Sequence, residues 1–383
     1  MRRIAPLISL SFAEITLMYI HERKDWPRLT WDKVRLAGLL AEVRHLQGRL
    51  LGRMESLGFA LREEATLSTL TQDVLKTSEI EGEKLDLQQV RSSLAKRMGV
   101  DIGATAPIDR AVEGIVELML DATTHHAAPL SEERLFGWHA ALFPTGRSGL
   151  RRITVGGWRT EASGAMQVVS GPIGREQVHF EAPDSSRLPQ EMTRFVTWFN
   201  EAPETDPVIK AALAHFWFVT IHPFEDGNGR IARALADLLL ARSEGTSQRF
   251  YSMSSQIQKE RKEYYLILET SQKGPLDITA WIEWFLNCLK RAIEAAEETL
   301  QAVLQKARFW ETNRRGTLNE RQKKVLNLLL DGFQGKLTSS KWAKLTKCSQ
   351  DTALRDINDL LAQHILLKEE AGGRSTSYVL SLK

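Results

Sequence analysis

The sequence predicts a mainly α fold: a helical bundle with one β-hairpin set into it, followed by a small tail of three helices and two strands. Three observations carry this. Apolar residues recur at helical spacing through most of 32–145 and 188–313, and the pattern changes to glycine pairs, adjacent valines and aromatics over 149–189. After Leu318, three short helical stretches end in two strand-like ones. With 383 residues, 43% hydrophobic and 26% charged, the chain has ordinary globular composition and room for two or three domains. The expected organisation is an N-terminal helical region (1–105), a core (106–275), a long linking helix (276–316) and the tail (317–383).

In chain order, Asp32 caps a helix reaching about residue 55, with Leu36, Leu39, Leu40, Val43, Leu46, Leu50 and Leu51 on its apolar side and Gly58 as its stop. A second helix is expected over about 63–80 (Leu67, Leu70, Val74, Leu75), ending in Thr77-Ser78-Glu79-Ile80-Glu81-Gly82-Glu83. Asp86 opens a third, closed by Gly99, and 101–107 is a linker. Helices over 108–122 and from Ser131 to a stop at Pro144 follow. His125 and His126, adjacent and without a carboxylate at ligand spacing, read as a solvated helix end, and His139 as structural. Residues 166–170 and 177–180 flank Gly171-Pro172-Ile173-Gly174 as a hairpin. Beyond a helix over 191–200, an apolar helix over 207–221 leads to the most informative stretch of the chain.

That stretch is His222-Pro223-Phe224-Glu225-Asp226-Gly227-Asn228-Gly229-Arg230-Ile231-Ala232-Arg233, followed by a helix expected over 231–241. Its physical reading is a phosphate cradle. Gly227 and Gly229 can adopt backbone conformations that let the N–H groups of Gly227 to Arg230 converge on one anion, aided by the positive end of the next helix. Arg230 and Arg233, one turn apart, fork onto the same anion. Asp226 would be repelled by a polyphosphate unless a Mg²⁺ bridges them. His222 is the one base in reach that works at neutral pH.

The stretch matches the signature His-x-Phe-x-(Asp/Glu)-Gly-Asn-Gly-Arg-x-x-Arg at every fixed position and so resembles the Fic family. The resemblance implies a Fic-type helical bundle that transfers AMP from ATP to a Ser, Thr or Tyr hydroxyl of a target protein. It implies His222 as the base that takes the hydroxyl proton, and Asp226 as holder of Mg²⁺ on the α- and β-phosphates. Gly227, Asn228, Gly229 and neighbouring N–H groups would bind phosphate oxygens, with Arg230 on the β-phosphate and Arg233 on the γ-phosphate. Thr77, Glu81 and Gly82 are similar to the family's inhibitory motif (Ser/Thr)-x-x-x-Glu-(Gly/Asn), which implies that Glu81 occupies Arg233 and keeps ATP out or misaligned. The hairpin at about 166–180 corresponds to the family's flap, where the target docks by strand-like pairing. The helical region over 252–271 implies a nucleoside pocket near Tyr264 or Tyr265, and Arg159 and His179 are candidates for polar contacts. The same scaffold also suits other nucleotides, or removal of AMP with Glu81 positioning water.

The remaining readings concern surroundings. Residues 279–313 form one long helix with a stripe of Trp281, Trp284, Phe285, Leu289, Ile293, Leu300, Val303 and Leu304, a core or dimer seam that makes a homodimer a reasonable expectation. The tail carries 11 Lys/Arg against 7 Asp/Glu, which leaves 40 against 41 for the first 316 residues, so basic function belongs to the tail. It is similar to winged helix-turn-helix modules: helices over 319–330, 339–347 and from a Ser349 cap through 363, with Leu345, Leu354, Ile357 and Leu361 inward, and a wing around Gly372-Gly373-Arg374. This implies DNA binding, with Gln350, Thr352 and Arg355 on bases and Lys347 and Arg374 on phosphates, and a second function as a nucleotide-sensing DNA-binding regulator. Two distant cysteines, Cys288 and Cys348, give neither a disulfide framework nor zinc spacing and fit a reducing cytoplasm. No apolar run has the length of a membrane span. Arg2, Arg3 and the apolar run after them mimic a secretory signal that Glu14 interrupts, and Met18 is an alternative start, from which the sequence is similar to the usual opening of a Fic-associated N-terminal region.

Overall fold

The computed structural model describes residues 18–55, 57–102, 107–171, 175, 177–202, 204–313, 318–330, 333, 335–369 and 376–381. The expected turn at Pro172-Ile173-Gly174, the wing tip at Gly372-Gly373-Arg374, the first seventeen residues and the side chain of Val303 lie outside them. The chain forms two compact units, one of residues up to 58 with 62–296 and the other of 59–61 with 297–383.

The first unit is helical. Its centre is a pair of helices, α7 (Pro207–Ile221) and α8 (Asn228–Glu244), numbered in chain order after α1 (Lys33–Glu55), α2 (Phe59–Ile80), α3 (Leu87–Met98), α4 (Arg110–Thr124), α5 (Glu132–Leu142) and α6 (Leu188–Asn200). Every residue of α7 from Val208 to Ile221 is buried, as suits a helix that is apolar all round. Short side chains set the starts: Asp86, Ser131 and Asp206 accept from N–H groups of the first turns of α3, α5 and α7. Gly99 and Gly245 end α3 and α8 in the left-handed conformation. Gly58 does not stop α1, which ends at Glu55; it is the N-cap of α2, which starts four residues earlier than the periodicity suggests. The helical region expected over 252–271 is two helices, α9 (Met253–Lys259) and α10 (Arg261–Gln272), because Glu260 leaves the helix between them and turns its carboxylate to Arg291 at 2.6 Å.

The N-terminal stretch ties this unit together. Thr30 exchanges backbone hydrogen bonds with Leu276 and Ile278, and Trp26 donates its indole N–H to Glu191 at 3.0 Å. Helix α11 (Thr279–Thr312) follows as 34 unbroken residues, and its first half buries Trp281, Ile282, Phe285, Leu289 and Ile293 in this unit. Two small antiparallel hairpins complete it, β1 (Arg147–Ser148) with β2 (Arg151–Arg152), and β3 (Gln167–Ser170) with β4 (Gln177–Glu181), which pairs Val168 with Phe180 and carries a bulge before Val169.

The second unit has its own core. Phe309 joins Val325, Leu326, Trp342, Ala353, Ile357, Leu360, Leu366 and Tyr378 in one cluster drawn from α12 (Glu320–Leu330), α13 (Ser339–Thr346), α14 (Gln350–Ala362) and the antiparallel strands β5 (Leu366–Lys368) and β6 (Tyr378–Leu380). Ser349 caps α14 as expected. The inward face of α14 differs by one position: Leu360 is fully buried, whereas Leu354 is 38% exposed, because the helix presents Ala353, Ile357 and Leu360 to the cluster.

Candidate active site

Helix α7 ends at His222, which sits in the left-handed region at φ 51° while its N–H still bonds to Phe218 at 3.0 Å. The imidazole Nδ1 donates to the Val219 carbonyl at 3.2 Å, so the neutral ring carries its lone pair on Nε2. Burial and, less strongly, the nearby Arg159 guanidinium push His222 below the ordinary histidine range. The ring is therefore a free base at neutral pH.

From His222 the chain turns through a loop stapled by its own side chains. Asn228 accepts from the Phe224 N–H at 2.9 Å and donates to the Phe224 carbonyl at 2.8 Å, and Phe224 is buried flat against His139, ring centres 4.2 Å apart. Gly227 caps α8 at φ 81°, where a Cβ would also press on Phe143 at 3.0 Å. The helix starts at Asn228, three residues before the apolar periodicity does. The first-turn N–H groups of Asn228, Gly229 and Arg230 therefore stand at a helix N-terminus, a place that suits an anion. The requirement at Gly229 is space and not backbone freedom, since a Cβ there would lie 2.3 Å from the Glu81 carboxylate and 3.1 Å from the Arg233 guanidinium.

Both arginines of the stretch already hold partners. Arg233, 1% exposed, donates to the Thr77 hydroxyl at 2.7 Å, the Thr77 carbonyl at 3.0 Å and Glu81 at 2.7 Å, which brings together the three residues named from two distant stretches. Burial alone would lower this guanidinium; the Glu81 carboxylate outweighs it, and Arg233 ends above its ordinary value. Gly82 takes φ 88° just past the end of α2, where the chain turns away. Arg230 pairs at 2.8 Å with Glu83, a partner sequence reasoning did not single out, and lies over the Phe143 ring.

Asp226 accepts from the Gly227 N–H and, on its other oxygen, from the Ser148 hydroxyl of β1. Among the described residues no three His, Cys, Asp or Glu side chains converge. One carboxylate nevertheless suits Mg²⁺ that keeps most of its ligands from water and phosphates, so the residues fit a metal carried in on a nucleotide.

A cleft of about 750 Å³ opens beside these groups, lined by Glu81, His222 and 225–229, by the hairpin residues Met166–Ser170, His179 and Phe180, and by α10. His179 fastens β4 to α10 through Glu269 at 2.8 Å and bonds Ser170 at 2.6 Å. Both tyrosines line the cleft: Tyr264 is buried with its hydroxyl on His215 at 2.9 Å, and Tyr265 is 39% exposed and lies beneath Arg261. Arg159 has a larger part than its sequence suggested. It is 3% exposed and its guanidinium bonds the carbonyls of His222 (2.8 Å), Pro183 and Ile221 (3.5 Å) while its N–H bonds Pro223 (2.9 Å). A Trp-Arg pair after two glycines carries no signal of that role.

Residues 129–240 match the family model described as Fic/DOC family, and residues 19–100 match a domain of unknown function (DUF4172). The chain is similar to the protein adenylyltransferase Fic of Drosophila willistoni, 27% identical over 272 residues that cover 69% of this chain and 48% of the relative. It is similar to that of Culex quinquefasciatus, 27% over 268 residues, 66% and 48%, and of Drosophila grimshawi, 32% over 132 residues, 33% and 26%. It thus spans about half or less of the length of these curated relatives. The fold is similar to crystal structures of a Fic family protein from Desulfovibrio desulfuricans G20 (TM-score 0.52, 21% identity, 91% of this chain and 96% of that one) and of a Fic domain containing signaling protein from Bacteroides thetaiotaomicron VPI-5482 (TM-score 0.51, 22% identity, 68% and 97%). With an intact signature loop, a family match across α5 to α8 and a mostly helical fold shared with these structures, the chain contains a Fic/DOC-type domain over residues 129–240.

Proposed function

We propose that the chain is a protein adenylyltransferase that moves AMP from ATP to a Ser, Thr or Tyr hydroxyl of a target protein, and that Glu81 holds it down. The observation that carries this is the placement of His222: Nδ1 is spent on the Val219 carbonyl, which leaves Nε2 as the accepting nitrogen, and the ring lines the cleft beside the first turn of α8. The first-turn N–H groups of α8 receive the α- and β-phosphate oxygens and the charge that builds on them. Asn228 contributes its backbone only, since its side chain closes the loop. Asp226 would hold Mg²⁺, which supplies charge neutralisation on the phosphates when bound. His222 takes the proton of the target hydroxyl as the oxygen attacks the α-phosphorus, and the target lies along an open edge of the hairpin, where Val169 and Val178 are exposed.

Restraint follows from Arg233. Its guanidinium is the expected seat of the γ-phosphate, and Glu81 fills it at 2.7 Å, with Glu83 doing the same for Arg230. The test is incubation of wild type and Glu81→Gly with Mg²⁺ and ATP labelled on the α-phosphate, following label on protein by gel and mass spectrometry. The expected result is at least about tenfold more AMP transferred by the variant, and none by Glu81→Gly/His222→Ala, which still binds ATP. Equal, non-zero rates in wild type and Glu81→Gly would remove Glu81 as the inhibitor, and equal loss of binding and transfer in the His222 variant would remove its role as base. Free Cys288 and Cys348 suit a reducing, cytoplasmic setting.

A second reading concerns the tail. Three helices ending in an antiparallel strand pair, with Gln350, Arg355 and Lys347 exposed at and before α14, favour a winged helix that meets DNA, with nucleotide occupancy of the first unit as its signal.

A further inference from the structure

We propose that Arg159 is a positioning residue for His222: one buried guanidinium gathers the carbonyls of Ile221, His222 and Pro183, holds the imidazole in its left-handed seat and keeps a fixed positive charge beside it. The inference rests on the catalytic reading of His222 above. It begins with backbone. A histidine at φ 51° occupies a region that side chains other than glycine rarely adopt, and such a conformation persists only where surrounding contacts over-determine it. Arg159 supplies them. Its Nε donates to the carbonyl of His222 itself at 2.8 Å, its terminal nitrogen reaches Ile221 and Pro183, and its backbone N–H takes Pro223. Three successive carbonyls at the turn out of α7 are thus held by one residue, and through Pro183 so is the segment that follows β4.

The choice of arginine has a second consequence. The hydrogen-bond partners are neutral carbonyls and the Asp184 carboxylate offsets the charge only in part, while burial, the larger effect, lowers the guanidinium below its ordinary value without discharging it. The charged groups acting on His222 are Arg159 on one side, and Glu81 from the end of α2 and Asp226 from the loop on the other. The two carboxylates favour imidazolium; Arg159 and burial favour the neutral ring. Without the guanidinium, the carboxylates raise the histidine toward neutral pH, and the base is lost to protonation over the range where it is needed.

The experiment compares Arg159→Gln and Arg159→Lys with wild type by NMR titration of labelled His222 in the full chain without Mg²⁺. In the Glu81→Gly background, ATP affinity and the pH profile of AMP transfer are measured in parallel. Arg159→Gln should raise the His222 midpoint by about half a unit to one unit. It should move the acid limb of the rate profile up with it and slow transfer about tenfold or more, with ATP affinity within about twofold. Arg159→Lys, a point charge without the planar fork, should keep the low midpoint and recover part of the rate, and it carries the test if the Gln variant lacks a cooperative melt. A folded Arg159→Gln in which His222 titrates as in wild type overturns the proposal. So does a fall in ATP affinity equal to the fall in rate in either variant, since that assigns Arg159 to the fold alone. No transfer by Glu81→Gly with Arg159 intact would remove the catalytic reading, while the titration would still decide what Arg159 does to His222.

Discussion

At the scale of single residues, the site is a set of charges waiting for other charges. Arg233 is buried and ion-paired to Glu81 at 2.7 Å, and removing that carboxylate leaves a cation with neutral contacts such as the Thr77 oxygens. Glu81→Gly should therefore cost the nucleotide-free protein on the order of 1–3 kcal/mol, the usual penalty for orphaning a buried charged donor. Saturating MgATP should return most of it, because the γ-phosphate takes the vacated place. Thermal melts with and without MgATP check this: a gain on adding nucleotide larger in the variant than in wild type is expected, and equal gains would mean that the γ-phosphate does not meet Arg233. The loop residues from His222 to Arg233 were legible in the sequence because their chemistry is concentrated in twelve consecutive positions, and Thr77 and Glu81 because they sit at a helix end with a recognisable spacing. Arg159, Glu83 and Ser148 were not legible. Each acts on the site through contacts with residues at least 60 positions away, and nothing local distinguishes such a side chain from a surface one.

At the scale of elements, α2 and α8 meet along a polar seam. Asp73, Thr77 and Glu81 are spaced four apart on α2, and Arg233 and Asp237 four apart on α8. Below the Glu81 pair, Asp73 and Asp237 are buried, Arg249 reaches Asp237 at 2.9 Å and Glu244 at 3.5 Å, and one oxygen of each aspartate has no hydrogen-bond partner among the described residues. One guanidinium cannot neutralise three carboxylates. Burial, then the neighbouring Asp73, pushes Asp237 up to about 8, and burial raises Asp73 as well. An acid whose folded value lies above its unfolded one keeps its proton in the fold and loses it in the unfolded chain, so its contribution is complete below about pH 4 and fades as pH rises toward 8. Melting temperature should accordingly fall between pH 5 and 8. Asp237→Asn, which keeps an oxygen for Arg249 and adds an N–H donor, should flatten that slope and be the more stable protein at pH 8. An unchanged slope would place the proton elsewhere. Sequence periodicity found these helices, because apolar spacing reports which face is buried, and its loss beside a glycine-proline turn signal found the β3–β4 hairpin. It misplaced the role of Gly58 and missed the break at Glu260, because a cap and an ion pair to a distant helix leave no periodic trace.

At the scale of the whole molecule, the chain combines the His222–Arg233 loop and its cleft in one unit with a separately cored tail in the other, and the question is what the tail contributes. Its charge is moderated by its own ion pairs: Arg321 with Asp356 at 2.8 Å, Lys323 with Glu320 at 2.8 Å and Lys336 with Glu369 at 3.9 Å. Lys341, Lys344 and Lys347 are exposed on or beside α13, which is enough for about three phosphate contacts, and Arg355 is exposed on α14. Each neutralised phosphate contributes about 0.9 to the slope of log affinity against log salt, so three predict a loss of about fortyfold between 50 and 200 mM salt. Titration of a labelled duplex into the full chain at both salt concentrations tests this, and Arg355→Ala, if that side chain reads a base, should weaken the preferred sequence by about 1–3 kcal/mol while leaving non-specific binding in place. A change in affinity on adding MgATP to Glu81→Gly would tie the two units into one nucleotide-responsive regulator, whereas no binding even at low salt would remove the DNA-binding reading and leave the proposed transfer of AMP to stand alone.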